Sequence, residues 1–443
     1  MMRTRCLPLA LLLALGAPMA HADDLIQIYQ EARASDPTLA GAEATKLATD
    51  ENVDQARSQL LPQIAAALSF TRSHGGSNSP SFIGDPGGGN ELVLATTTTA
   101  YTRSLGATVD QSLVDVSKWM ALKSSEFSAE AGSATYDAAQ QQLLINTAQT
   151  YFNVLTALDA LKFADANEKA LNRQLEQAQQ RFEVGLAAIT DVNDAKAQHD
   201  AAVANVISAQ NNVDTAREAV RQLTNKEPGE FKKLREDLPL DHPTPDDPKQ
   251  WVDLALKQNP VLTSSAKNVD AANANVNTAR AGHLPVLNAN LGYSRAPTWG
   301  DTNTSLGNFH DSSDPKWGSS IGVTLSVPIF SGGFTQSRVR QAIYQRDFAQ
   351  DQYELNRRQI EAATRNSFRS VIAGASEVEA TQAGYEVGTR TIVDVLISQQ
   401  TLLQAQSNYS TARHAFVIEG LLLKQAAGVI EVKDLQLINA MLD

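Results

Sequence analysis

The chain contains the same pattern twice, and this duplication constrains its fold more than any other feature. FEVGLAAITDV at 182–192 returns as YEVGTRTIVDV at 385–395, with six of eleven positions identical. The identities are Glu183/Glu386, Val184/Val387, Gly185/Gly388, Ile189/Ile392, Asp191/Asp394 and Val192/Val395, and Phe182/Tyr385 keep an aromatic ring. An offset of 223 brings Asp36-Pro37 onto Asn259-Pro260, Ala56-Arg57 onto Ala279-Arg280 and Leu61-Pro62 onto Leu284-Pro285. An offset of 216 brings Leu105-Gly106-Ala107-Thr108 onto Ile321-Gly322-Val323-Thr324. The order helix, strand, strand, long helix, turn, helix therefore occurs twice. A shared order of elements accompanying residue matches marks internal duplication.

The expected layout is a leader at 1–22, a first repeat at 23–225, a connector at 226–257, a second repeat at 258–428 and a tail at 429–443. In the leader, Arg3 and Arg5 precede the apolar run Leu7 to Ala17, and Ala20-His21-Ala22 supplies a small-x-small cleavage site. That is the pattern of a secretory signal peptide. The only cysteine, Cys6, leaves with it, so the mature chain has no thiol or disulfide. Loss of Arg3 and Arg5 leaves 35 basic against 49 acidic side chains, a poor match to nucleic acid. No later apolar run reaches the roughly 18 residues of a membrane helix, so any membrane role falls to strands. Five prolines and mixed charge mark EPGEFKKLREDLPLDHPTPDDPKQ as the connector.

The helices are expected to be long. From Trp119 to Glu183 there is no proline and only Gly132 as glycine, predicting roughly 97 Å of helix at about 1.5 Å per residue. After the first turn, Val192, Ala195, Ala202, Val206, Ala209, Val213, Ala216, Val220 and Leu223 form a heptad seam, with His199 as a polar break. Aromatics are only 6%, which suits thin helices laid side by side better than an ordinary core.

Four segments alternate with period two instead. They carry Ile64, Ala66, Leu68 and Phe70; Tyr101, Leu105, Ala107 and Val109; Leu287, Ala289, Leu291 and Tyr293; and Ile321, Val323, Leu325, Val327 and Ile329. Small or polar residues lie between them. Such alternation fits either a barrel strand between lipid and water or a soluble sandwich strand with one wet face. The placement of each pair between long helices favours the barrel. Polar, Gly/Pro-rich stretches, SHGGSNSPSFIGDPGGGNE and APTWGDTNTSLGNFHDSSDPK, read as the loops joining each pair. Four strands are too few to close a barrel, so oligomerisation is expected to remove the edges.

No enzyme motif competes. The seven histidines form no HExxH-like spacing, no GxSxG or P-loop is present, and GDPGGG lacks a following lysine and helix. No cofactor or metal is expected. A trimeric coiled-coil scaffold or adhesin would explain the heptads but not the duplicated strand pairs.

The duplicated order, the strand end SVPIFSGG at 326–333 and the turns VGLAAITDV and VGTRTIVDV resemble the TolC-type outer-membrane efflux channels (outer membrane factors) over essentially the whole mature chain. The resemblance implies a mixed α and β fold, with a twelve-stranded outer-membrane β-barrel made by a homotrimer and continued by an α-helical coiled-coil barrel across the periplasm. It implies an exit duct for efflux pumps or type I secretion, served by a periplasmic adaptor and an inner-membrane RND or ABC transporter. It also implies that the glycine turns are hairpin tips, with Gly185, Leu186, Gly388 and Thr389 contacting the adaptor. Tyr385 and Arg390 match gate-locking residues, Thr190 and Asp191 their partners, and Asp394 an inward-facing aspartate ring. On the residues alone, Asp191 and Asp394 are also helix-starting carboxylates favoured by the helix dipole. Two departures stand out. Ile397 occupies the place of a second aspartate, and Phe368 to Gly388 spans 20 residues where Phe152 to Gly185 spans 33.

Overall fold

The structure, a computed structural model, describes residues 23–82, 91–235, 237–239, 243–304, 307–385 and 392–443. The expected leader lies outside the described residues. In chain order the elements are α1 Leu25–Ser35, α2 Pro37–Ser58, β1 Gln63–Phe82, β2 Glu91–Val114, α3 Val116–Glu183, α4 Ile189–Thr224, α5 Pro248–Gln258 and α6 Pro260–Ala281. There follow β3 Val286–Arg295, β4 Thr298–Thr304, β5 Gly307–Ser313, β6 Gly318–Ser326, α7 Phe334–Tyr385, α8 Ile392–Ala426 and α9 Val432–Asn439. Two compact units are formed, each drawing on both halves of the chain. A helical unit contains the described part of Met1–Thr45 with Ser133–Thr263 and Glu354–Asp443, and a sheet unit contains Lys46–Gly132 and Ser264–Tyr353.

In the helical unit, matched residues explain matched junctions. Asp36 accepts hydrogen bonds from the N–H groups of Thr38 (3.1 Å) and Leu39 (3.2 Å), and Asn259 from those of Val261 (2.9 Å) and Leu262 (3.4 Å). Each caps the next helix, and the proline after it sits where a first-turn N–H would have no helical partner. One helix earlier, Asp24 caps α1 through Gln27 N–H (2.8 Å), and Asp247 caps α5 through Lys249 N–H (2.9 Å). Helix α5 thus occupies the end of the segment read as a connector, at the same 223-residue offset from α1.

Aromatic residues are few but concentrated, so the helical unit does have cores. Tyr151 and Phe152 are fully buried with Leu25, Ile28, Val220, Phe231, Leu421 and Leu435. The Tyr151 ring meets Phe152 and Phe231 edge-on at 5.7 and 5.5 Å, and its hydroxyl donates to the Lys232 carbonyl at 2.8 Å. A second cluster gathers Phe368, Trp251, Val371, Val378 and Leu423, with the Trp251 indole N–H donating to the Pro245 carbonyl (2.8 Å). Phe152 and Phe368 are related by the strand offset of 216. Side-by-side packing describes α4 well, where Ala195, Ala202, Val213 and Val220 of the seam are buried.

In the sheet unit, β1 and β2 pair antiparallel over their length, from Gln63↔Asp110 to Phe82↔Glu91. Along the other edge of β2 lie β3 (Leu105↔Arg295) and β4 (Tyr101↔Trp299), which are joined end to end at Ala296-Pro297. In turn β6 pairs with β3 and β5 with β4. The six strands therefore follow four paths. The second stretch read as a loop carries the β4–β5 hairpin, and β1 runs into the first. Their Ser, Thr and Asn residues read as turns in isolation, yet β1 and β4 find ladder partners on β2, and β5 finds its partners on β4. At the other end, β6 stops at Ser326, short of Ile329, because Pro328 offers no N–H to a ladder.

Candidate functional site

The register puts the alternating residues on opposite faces of one sheet. On the first face lie Ile64, Leu68, Phe70, Leu105, Leu291, Tyr293, Ile321, Val323 and Leu325, all exposed, with Ile321 at 79%. An apolar face this extended has no counterpart on the surface of a soluble domain. The opposite face carries Ser69, Ser104, Thr108, Gly292, Asn288 and Gly322, linked by bonds such as Ser69–Ser104 (2.6 Å) and Ser112–Asn288 (3.0 Å). The pattern is that of a membrane barrel with a wet interior.

One border of the apolar face is aromatic. Phe70, Tyr101 and Trp299 meet pairwise with ring centroids 6.0–6.1 Å apart, and Tyr293 stacks on Trp317 at 4.9 Å. Sequence reading missed this border because Trp299 fell in a stretch assigned to a loop and Trp317 directly after it. Aromatic rings with polar edges gather where hydrocarbon meets headgroups.

The second feature is the α3–α4 hairpin tip. Gly185 has φ +75°, its N–H donates to the Phe182 carbonyl (2.9 Å), and the Leu186 N–H reaches the Arg181 carbonyl (2.7 Å). That is a Schellman turn, which favours a residue without Cβ at its left-handed position. Around it Phe182, Val184, Leu186 and Ile189 are exposed, Leu186 at 77%. The tip therefore presents an apolar surface. Thr190 and Asp191 are exposed in the first turn of α4, and Asp191 accepts a hydrogen bond from the Ala188 N–H at 3.2 Å. Asp191 thus performs the helix-starting role. His199 is a bridge between helices, its Nε2 lying 3.1 Å from Glu168 Oε1 on α3.

Of the second tip, Gly388, Thr389 and Arg390 lie outside the described residues, while Tyr385 closes α7 and Asp394 falls in the first turn of α8. The imbalance in length is present: α3 has 68 residues and α7 has 52, against 36 and 35 for α4 and α8.

A polar cluster in the helical unit also escaped sequence reading, because its members lie about 250 positions apart. His414 is buried, with Nδ1 2.8 Å from Thr156 Oγ1 and its ring 5.5 Å from Phe152. Burial pushes its pKa down to about 4, against an opposing pull from Asp159, with Arg413 adding to the lowering. Ser410 donates to Asp159 beside it.

The family model for outer membrane efflux proteins matches residues 28–226 and 251–375. The chain is 36% identical to outer membrane protein TolC of Escherichia coli strain K12, over 98% of this chain and 88% of that one. It is 29% identical to the alkaline protease secretion protein AprF of Pseudomonas aeruginosa, over 68% of this chain and 64% of that one. Among solved structures, the Campylobacter jejuni CmeC outer membrane channel superposes with TM-score 0.67 at 17% identity, covering 95% of this chain and 90% of that one. The chain belongs to the outer membrane efflux protein family. It is an outer-membrane exit duct of the efflux and type I secretion kind, extending into the periplasm, and a transport channel rather than an enzyme.

Proposed function

We propose that the duct is a homotrimer closing twelve strands into one barrel, and that its periplasmic hairpin tips form a gate. A periplasmic adaptor docks there and couples the duct to an inner-membrane transporter of the RND or ABC class. The sheet carries the first part of this reading. It has a lipid-type face, a small polar face and two long edges, at β1 and along β6 and β5, that pair with no described strand of the same chain. In hydrocarbon each unpaired backbone group costs several kcal/mol, so strands of other copies must cover those edges. Two copies would give eight strands, a barrel just wide enough for side chains to fill. Ala65, Ala67, Gly106, Gly292 and Gly322 are too small to fill it, which supports three copies and a water-filled lumen.

The exposed apolar rim around Gly185 supports adaptor docking at the tip, through Gly185 and Leu186 on the first hairpin and Gly388 and Thr389 on the second. For the gate, Tyr385 and Arg390 hold the closed state through Thr190 and Asp191, and Asp394 contributes an acidic ring at the constriction. The cargo is selected by the inner-membrane partner. Single-channel recording of the purified mature chain in a planar bilayer, with cross-linking for subunit number, tests the proposal. Discrete, mostly closed steps from a trimer are expected. Large, permanently open steps would remove the gate, and membrane-inserted trimers that conduct nothing would remove the duct.

A further inference from the structure

We propose that Arg72 and Arg103 form a binding site for the phosphate-bearing headgroup of an outer-leaflet lipid, at the aromatic border of the apolar face. The proposal rests on the outer-membrane barrel reading and deepens it. Arg72 stands opposite Tyr101, and Arg103 opposite Phe70. The two arginines are thus diagonal neighbours on one face, about 7–8 Å apart at the backbone, and both are exposed. The Arg72 guanidinium lies 5.7 Å over the Tyr101 ring, a cation–π contact that orients its donors without consuming them.

The height is right for a headgroup. Ile64 to Arg72 is eight residue steps, about 26 Å along a strand at about 3.3 Å per residue. Tilted as barrel strands are, that rises about 20 Å, close to the roughly 25 Å apolar band of an outer-membrane barrel. The count starts where β1 leaves α2 and β2 passes to α3. The arginines therefore lie at the hydrocarbon border farther from the helix-bearing, periplasmic end.

Among the described residues, the charge of Arg72 and Arg103 has no carboxylate to compensate it. Arg295, diagonal to Arg103 on the same face, already holds a carboxylate: its Nη2 contacts both oxygens of Asp314 at 2.6 and 2.7 Å. Asp301, one layer further out, is engaged by His310 at 2.9 Å. Neither Arg72 nor Arg103 has a carboxylate within 4.0 Å among the described residues. Two planar guanidinium forks beside aromatic rings, with no carboxylate partner among the described residues, match an oxyanion on an amphiphile that offers each fork two oxygens. A lipid phosphate supplies that anion and an acyl chain for the apolar face below it.

The test uses the full mature chain in a non-ionic detergent and native mass spectrometry. The probes are a bisphosphorylated acylated disaccharide lipid, its dephosphorylated counterpart, and inorganic phosphate as competitor. Wild type is expected to retain the phosphorylated lipid. The Arg72→Gln/Arg103→Gln double variant should retain about thirtyfold less, Arg72→Lys/Arg103→Lys should keep most of it, and free phosphate should not displace it. Arg57→Gln, altering a cation paired with Asp54 outside the strands, should change nothing. Equal retention by the Gln variant, equal retention of the dephosphorylated lipid, or displacement by free phosphate would each overturn the site. Conductance of the same samples separates the two readings. Wild type that conducts yet shows no preference for the phosphorylated lipid leaves the barrel intact and the site refuted, whereas wild type that never inserts refutes both.

Discussion

Asn225 and Gly428 occupy equivalent positions, 203 residues apart, after α4 and α8, and both are left-handed, with φ +54° and +76°. The Asn225 N–H donates to the Arg221 carbonyl (2.7 Å). At Gly428, bonds from Gly428 to Gln425 (2.8 Å) and from Val429 to Lys424 (2.9 Å) close a Schellman turn. Exchanging the two residue types separates backbone strain from close approach. Asparagine tolerates the left-handed region better than most residues, so strain contributes little at either site. A Cβ on Gly428, however, would lie 2.5 Å from Asn259 Cα, 2.7 Å from its N and 2.7 Å from the Gln258 carbonyl oxygen, all backbone atoms. Nothing there can swing aside, so the start of α6 must move, at a cost of about 1–3 kcal/mol on the scale of overpacked cores. Asn225→Gly should change stability by less than about 1 kcal/mol. Urea unfolding followed by circular dichroism at 222 nm, with unchanged m, measures both. Equal small losses for Gly428→Asn and Asn225→Gly would refute the close approach and the packing argument built on it.

Below neutral pH, His414 should weaken the helical unit. Its folded pKa of about 4 lies below the ordinary 6.5, so the unfolded chain binds the proton first and stability falls as pH drops from about 6.5 to 4. The loss reaches about 3 kcal/mol, and His414→Gln should flatten the pH dependence of the melting temperature over that range. Replacing exposed Leu186 with Glu should leave melting unchanged yet weaken adaptor binding in a pull-down by roughly tenfold or more; undiminished binding would take the tip out of the interface. Arg390→Ala should raise single-channel conductance, and unaltered conductance in trimeric protein would exclude the lock. Asp394→Asn should lower cation selectivity measured by reversal potential, and equal selectivity would place that carboxylate away from the pore.

Junctions were the most legible part of the sequence, and packing the least. Asp36-Pro37 and Asn259-Pro260 stand out because a capping side chain followed by proline satisfies a backbone requirement that few other pairs meet. Gly185 is legible for the same reason, since its turn needs a left-handed residue. Helix α5 went unread although Asp24/Asp247, Gln27/Gln250 and Ala32/Ala255 match at the same offset, because the prolines around it resemble a linker. Its core residues gave no help: Ile28 packs beside Phe152's cluster, and at the same place in the second half Trp251 packs beside Phe368's. The β4–β5 hairpin was unreadable locally, since its order comes from β2, some 200 positions earlier. His414 depends on Thr156 and Asp159, which no local pattern connects to it. Backbone demands at caps and turns act within a few residues and admit few side chains, so duplicated halves keep them recognisable. Packing demands only matched volume across long separations, so an isoleucine in one half can become a tryptophan in the other while the fold persists.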